Sequence, residues 1–409
     1  MRATRGSMLR LSLLSAAGLC AGLQCGPLVL SPQQHAAGRP RVGAATMLTA
    51  DAIGIDSPTP PGPDPYRLVQ DDLEYIKRSI KKVLKGSKGE SSAISSNGVL
   101  TMAAREFMSR KGKSFRPMLV LLIGRATDPD FATDSRHTKL AVISEMIHTA
   151  SLIHADVLEE DQAGSDAGTL VHQEVDLDVG NKVCILAGDF LLAKAAVELS
   201  LLESSHVTEI VARGLEAICE GGMRAYHSTV EEETLAELTL EDHLATVGES
   251  IASLIANVCQ SSAILSGHDP DSTVAMACKL YGEHLAYARH LVGEANEIDA
   301  ALRKSKRNPA ALPALLPRGV HGVARAPILI AAETYPEVRA ILTGAAEGTN
   351  APAATAELLE RSGAVQATRA LAHEHVLAAA EAIEALPQSP TRDALVVLCH
   401  KVATSTPLK

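Results

Sequence analysis

The stretch ISEMIHTASLIHADVLEED, Ile143 to Asp161, places apolar residues at Ile143, Met146, Ile147, Ala150, Ile153 and Val157. Steps of one, three and four are the period of a helix with one buried stripe. Towards its end the stretch turns acidic, and Asp156, Glu159 and Glu160 at i, i+3 and i+4 share one face. Carboxylates clustered beside a core repel one another and lose hydration unless a cation neutralises them. One reading is a site for a hard cation such as Mg²⁺, which takes oxygen ligands and often carries phosphate. The other is the solvated end of a core helix.

Working outward, the 409 residues are 46% hydrophobic but 2% aromatic, with no Trp. Ala and Leu dominate and β-branched alternation is scarce, so the expected fold class is all-α, a large single-domain helical bundle. The net charge of −10 argues against non-specific nucleic-acid binding, while leaving room for a local basic pocket. Of seven cysteines, Cys184, Cys219, Cys259, Cys278 and Cys399 lie singly in apolar helical patterns and read as small buried hydrophobes.

Residues 1–50 contain no Asp, Glu or Lys but carry five arginines, and Leu11 to Ala21 is a short apolar run. That run is too short to span a membrane and has the character of a secretory signal, followed by a transit-like segment. A plastid address fits this order, and a mitochondrial one competes with it. Residues 51–65 form a Pro-rich linker, in which Ser57 to Pro65 is expected to be non-helical. The helical domain spans residues 66–409, with no transmembrane segment expected in the mature chain.

Within the domain, helical patterns cover Val69 to Leu84, Val99 to Ser109, Arg116 to Arg125, the central stretch, Lys182 to Leu202 and His206 to Tyr226. They continue over Leu240 to Leu265, Ser272 to Glu297, Ala324 to Ala332, Ala353 to Leu386 and Ser389 to Ala403. Ser87 to Asn97, Gln162 to Thr169 and Arg303 to Gly322 read as loops. Asp189, alone in an apolar helix, reads as a buried structural partner. Lys113 and Arg116 fall at a loop-to-helix junction, where free backbone N–H groups and the helix dipole favour a diphosphate.

The order of GKSFRP (Gly112 to Pro117), SLIHADVLEE (Ser151 to Glu160), LAGDFLLAKA (Leu186 to Ala195), LYGEHLAYARHLVGEANE (Leu280 to Glu297) and ARAPILIAAETYP (Ala324 to Pro336) resembles the all-trans polyprenyl diphosphate synthases. The likeness is to the long-chain, plastid solanesyl type, and runs from about residue 68 to the C-terminus. It implies the isoprenoid-synthase bundle and condensation of isopentenyl diphosphate with an allylic diphosphate. Two facing aspartate-rich motifs then hold Mg²⁺ on the leaving diphosphate.

By the same resemblance, Lys113 and Arg116 contact isopentenyl diphosphate. The first motif falls on Ala155 to Glu159 and the second on Gly293 to Glu297, and each lacks its first aspartate. Asp156, Glu159, Glu160, Glu294 and Glu297 remain as a weakened Mg²⁺ set. The family's Arg-Arg pair is absent from Ala163 to Gly168, its Phe-Gln has become Arg289-His290, and Ser250-Ile251 stands where Lys-Thr is usual. Each lost contact in a preorganised site is worth roughly 2–4 kcal/mol. The expectation is therefore a catalytically impaired member with no confident catalytic residue, a homo- or heterodimer with another polyprenyl synthase chain. A slow, active prenyltransferase is the alternative.

Overall fold

Helices account for nearly every element because apolar residues recur at helical spacing between short breaks. The computed structural model describes residues 60–85, 96–109, 114–128, 131, 135–155, 157, 177–230, 237–306, 325–338 and 351–404. In chain order they form α1 (Pro65–Leu68), α2 (Gln70–Lys85), α3 (Ser96–Ser109), α4 (Phe115–Thr127) and α5 (Ser135–Ala155). Then come α6 (Leu177–Ser200), α7 (Ser205–Val230), α8 (Leu240–Val247), a π turn (Gly248–Ala252), α9 (Ser253–Leu265) and α10 (Thr273–Ser305). The set closes with α11 (Ala326–Thr334), α12 (Ala351–Arg361), α13 (Ala364–Ala382) and α14 (Pro390–Thr404). No strand occurs among the described residues.

The central stretch supplies α5, whose Ile143, Met146, Ile147, Ala150 and Ile153 are all buried, as their spacing requires. α5 packs on α4 and α6, α4 on α9, and α9 on α7 and α10. The longest helix, α10, runs from this core to a second apolar cluster. There Ile298 and Leu302 meet Ile328 and Leu329 of α11 and Leu359 of α12. α9 packs on the first half of α10 and α11 on the second, while α13 lies against α10 from the first core onward.

Several local expectations need correction. Pro65 is the first residue of α1, since Asp64 caps it by accepting the N–H groups of Tyr66 and Arg67, and proline at N1 forfeits no hydrogen bond. Pro60 is already buried, and Asp64 pairs with Lys401 of α14 at 2.7 Å, so ordered packing starts before residue 66. Ser96 and Asn97 belong to α3 rather than to a loop. The single helix expected from Ala353 to Leu386 is divided at Gly363, whose φ of +66° suits glycine. Cys219 is exposed, unlike the other four described cysteines. Asp189 is exposed too, 3.4 Å from His154 across the α5–α6 contact. The N-terminal segment 1–50, linker residues 51–59 and the loops at 87–95, 162–169 and 307–322 lie outside the described residues.

Candidate functional site: a basic pocket and an internally paired acidic motif

Ser114 enters α4 in the left-handed region, φ 50°, and its side chain makes no cap hydrogen bond. The helix start that follows holds Arg116, which is 8% exposed, and its buried Nε has no hydrogen-bond partner. Burial pulls this guanidinium down to about 10, opposed by Glu145 and reinforced by Arg289, so it stays cationic at neutral pH. Glu145 and His148 lie one turn apart on α5. Burial raises the Glu145 pKa, against the attraction of Arg116 and Arg289. Burial holds His148 well below the usual imidazole range, and the same two arginines push it further down.

Arg289 comes from α10 and places its guanidinium over the Phe115 ring, 4.7 Å from the centroid. Arg289 is exposed to solvent, yet enough protein surrounds its stem that desolvation lowers its pKa, against the pull of Tyr66 and Glu145. Two guanidiniums therefore share one carboxylate beside a neutral imidazole. This leaves excess positive charge and one unpartnered donor, a constellation suited to an anion.

The second acidic motif is built differently. Glu294 on α10 is 1% exposed and lies under the start of α11. Its Oε1 is 3.1 Å from His243 Nε2 of α8 and 3.1 Å from His290 Nε2, one turn earlier on α10. Its Oε2 accepts the Ala326 N–H of α11 at 3.0 Å. Burial alone would raise this carboxyl, but hydrogen bonds and charge interactions with His243 and His290 outweigh it and hold the pKa far below the carboxylate range. Arg325, at the α11 N-cap, sets Nη1 3.2 Å from Glu297 and 3.7 Å from Glu294. Glu297 is the exposed member of the pair.

This donor set does not fit Mg²⁺. A hard, octahedral ion needs oxygen ligands and retained water. Here one carboxylate is sealed beneath imidazoles and an N–H, and the other pairs with a guanidinium. Elsewhere, Arg224 is held by Glu249 of the π turn through two hydrogen bonds, 2.7 and 3.0 Å long.

Of the residues singled out from sequence, Arg116 stands in the basic cluster with Arg289, and Glu294 and Glu297 meet at Arg325. Lys113, Asp156, Glu159 and Glu160 lie outside the described residues. Sequence reasoning did not find Glu145, His148, His243 or Arg325. Glu145 and His148 could have been noticed as polar residues three apart inside an apolar helix, and His290 and Glu294 as an i, i+4 pair of metal-binding type. His243 is 51 positions from Glu294 and reaches it only through tertiary packing.

The all-α bundle of the described residues is the fold of the isoprenyl synthases on which it superposes. The polyprenyl synthetase family model matches residues 97–290. A prenyl transferase of Cyanophora paradoxa is 31% identical over 335 residues, covering 82% of this chain and 95% of the relative. A probable mitochondrial hexaprenyl pyrophosphate synthase of Neurospora crassa is 30% identical over 386 residues, covering 83% and 81%. The apo form of an Arabidopsis medium/long-chain length prenyl pyrophosphate synthase superposes with a TM-score of 0.61 at 26% identity, covering 84% and 99%. The chain belongs to the polyprenyl synthetase family, the polyprenyl diphosphate synthases of isoprenoid biosynthesis.

Proposed function

We propose that this chain is a catalytically impaired polyprenyl diphosphate synthase homologue that retains diphosphate binding and acts as a regulatory subunit of an active trans-prenyltransferase. The observation that carries the reading is the contrast between its two halves. Arg116 keeps an unpartnered buried Nε, with Arg289 adding charge nearby, as a diphosphate pocket would need. Glu294 and Glu297 are neutralised by groups of the same chain. With this half of the metal set withdrawn, Mg²⁺ on a leaving diphosphate would rest on Asp156, Glu159 and Glu160 alone, too few carboxylates for efficient ionisation.

A partner chain is supported by apolar side chains left uncovered on α6 and α7. Leu186, Val197, Met223 and Tyr226 are each more than half exposed. No described helix is long and apolar enough to cross a membrane. The composition of residues 1–50 favours import into a plastid, with the mitochondrion as the alternative.

The test is prenyl transfer from an allylic diphosphate and labelled isopentenyl diphosphate with Mg²⁺. The chain is assayed alone, then mixed with an active plastid prenyl synthase. The expected outcome is no turnover alone and an altered rate or product length in the mixture. Sustained turnover by the chain alone would establish an active Mg²⁺-dependent prenyltransferase and sink the impaired reading.

A further inference from the structure

We propose that His243, His290 and Glu294 form a binding site for a borderline divalent transition-metal ion of the zinc class. Two Nε2 atoms and one carboxylate lie within 4.8 Å of one another, contributed by α8 and by two positions one turn apart on α10. Each imidazole nitrogen is 3.1 Å from Oε1. Zinc bonds of about 2.0–2.2 Å in tetrahedral array separate ligand atoms by roughly 3.3 Å, close to the two nitrogen–oxygen separations, and the two imidazoles, their ring centroids 6.0 Å apart, turn towards each other to admit the ion. Mixed imidazole and carboxylate donors favour zinc, cobalt or nickel over Mg²⁺.

The surroundings suit a cation. The Ala326 N–H anchors Oε2 and fixes the carboxylate, the role an outer partner plays around a metal. Glu294 and Glu297 carry two negative charges against one on Arg325, which lies closer to Glu297. On binding, each ring presents its Nε2 lone pair, so the proton that Nε2 donates to Glu294 moves to Nδ1 or leaves to solvent. His290, 15% exposed at its side chain, is the open edge through which an ion enters, whereas His243 and Glu294 are 2% and 1% exposed. Three protein ligands leave a further position for water. Occupancy ties the middle of α10 to α8 and to the start of α11. It does not depend on whether the chain catalyses prenyl transfer.

The test uses the full chain without an affinity tag, stripped with a chelator and titrated with Co²⁺. The expected result is one equivalent bound, with visible d–d bands of tetrahedral intensity. One equivalent of Zn²⁺ abolishes the bands, and a large excess of Mg²⁺ leaves them unchanged. His290→Gln, at the partly exposed ligand, lowers Co²⁺ affinity roughly tenfold or more, while His206→Gln on the exposed start of α7 does not. Absence of tetrahedral bands in the unaltered chain, their displacement by Mg²⁺, or their persistence in His290→Gln would each overturn the proposal. The first two readouts need no variant, so a misfolded His290→Gln would not spare the proposal from test.

Discussion

Arg116 and Glu294 are oppositely charged residues treated in opposite ways by the fold. The arginine is buried with a donor unsatisfied, whereas every strong interaction of the glutamate is made inside the chain. A ligand phosphate would offer Arg116 a charge-assisted bond worth about 1.5–3 kcal/mol. Arg116→Gln should accordingly weaken binding of inorganic pyrophosphate by about tenfold or more, measured by calorimetry, and leave the fold intact. Removing the buried charge of Glu294 acts on stability instead. Glu294→Gln removes the charge that both imidazoles face and sets an NH2 against one of the donors around it, and should cost on the order of 3 kcal/mol in denaturant unfolding. The place of Arg116 at the start of α4 was legible from the loop-to-helix pattern, while its burial was not, since basic residues at a helix start are more often solvated. The fate of Glu294 was not, since a DxxD-like spacing announces carboxylates on one face but not the histidine of an earlier helix and the arginine of a later one that the fold brings against them.

At the scale of elements, α10 is fitted to its neighbours with little clearance. A Cβ on Gly282 would lie 2.8 Å from Cys259 Sγ, 2.9 Å from the Ile255 carbonyl oxygen and 3.1 Å from Ala256 Cα, all on α9. Since backbone cannot rotate away, Gly282→Ala should destabilise by about 1–3 kcal/mol and lower Tm. On another face of α10, His284 and His375 of α13 share a hydrogen bond between their Nδ1 atoms at 2.9 Å, and the Tyr287 ring stacks on His375. Burial lowers both imidazoles, His375 to about 4 with His284 adding to the effect.

The unfolded rings take up protons near 6.5 while the folded pair resists them. Stability is therefore complete above the unfolded pKa and falls as pH drops from about 6.5 to 4. The loss should be on the order of 2 kcal/mol once partial solvent screening is allowed for. His375→Asn should flatten the dependence of Tm on pH across that window. These helices were legible from period alone, and their junctions less so. The break at Gly363 is a backbone event that an uninterrupted Ala-rich pattern conceals, and proline at residue 65 reads as a stop until Asp64 is recognised as its cap.

For the whole molecule, the least legible feature is which apolar surface the chain covers by itself. The sequence of α6 is apolar almost all round, the pattern of a helix enclosed on every side. The fold nevertheless buries Cys184, Ala187, Leu191 and Ala195 and leaves Leu186 and Val197, 53% and 57% exposed, on a different face. Periodicity cannot distinguish a stripe buried in the monomer from one buried by a second chain, because both have the same spacing. Leu186, Ala193 and Val197 recur in steps of seven and four along that uncovered face. Met223 and Tyr226 form a similar exposed pair on α7, 57% and 52% exposed. A stable interface removes about 800 Å² per partner from water, and charges forced into its centre are strongly opposed. The double substitution Leu186→Glu with Val197→Glu should therefore weaken association with an active polyprenyl synthase at least tenfold in sedimentation velocity. Circular dichroism and Tm should stay unchanged, because neither side chain packs in the core. Unchanged association would place the partner's contact elsewhere, whereas loss of association together with the effect on product length would tie regulation to this face.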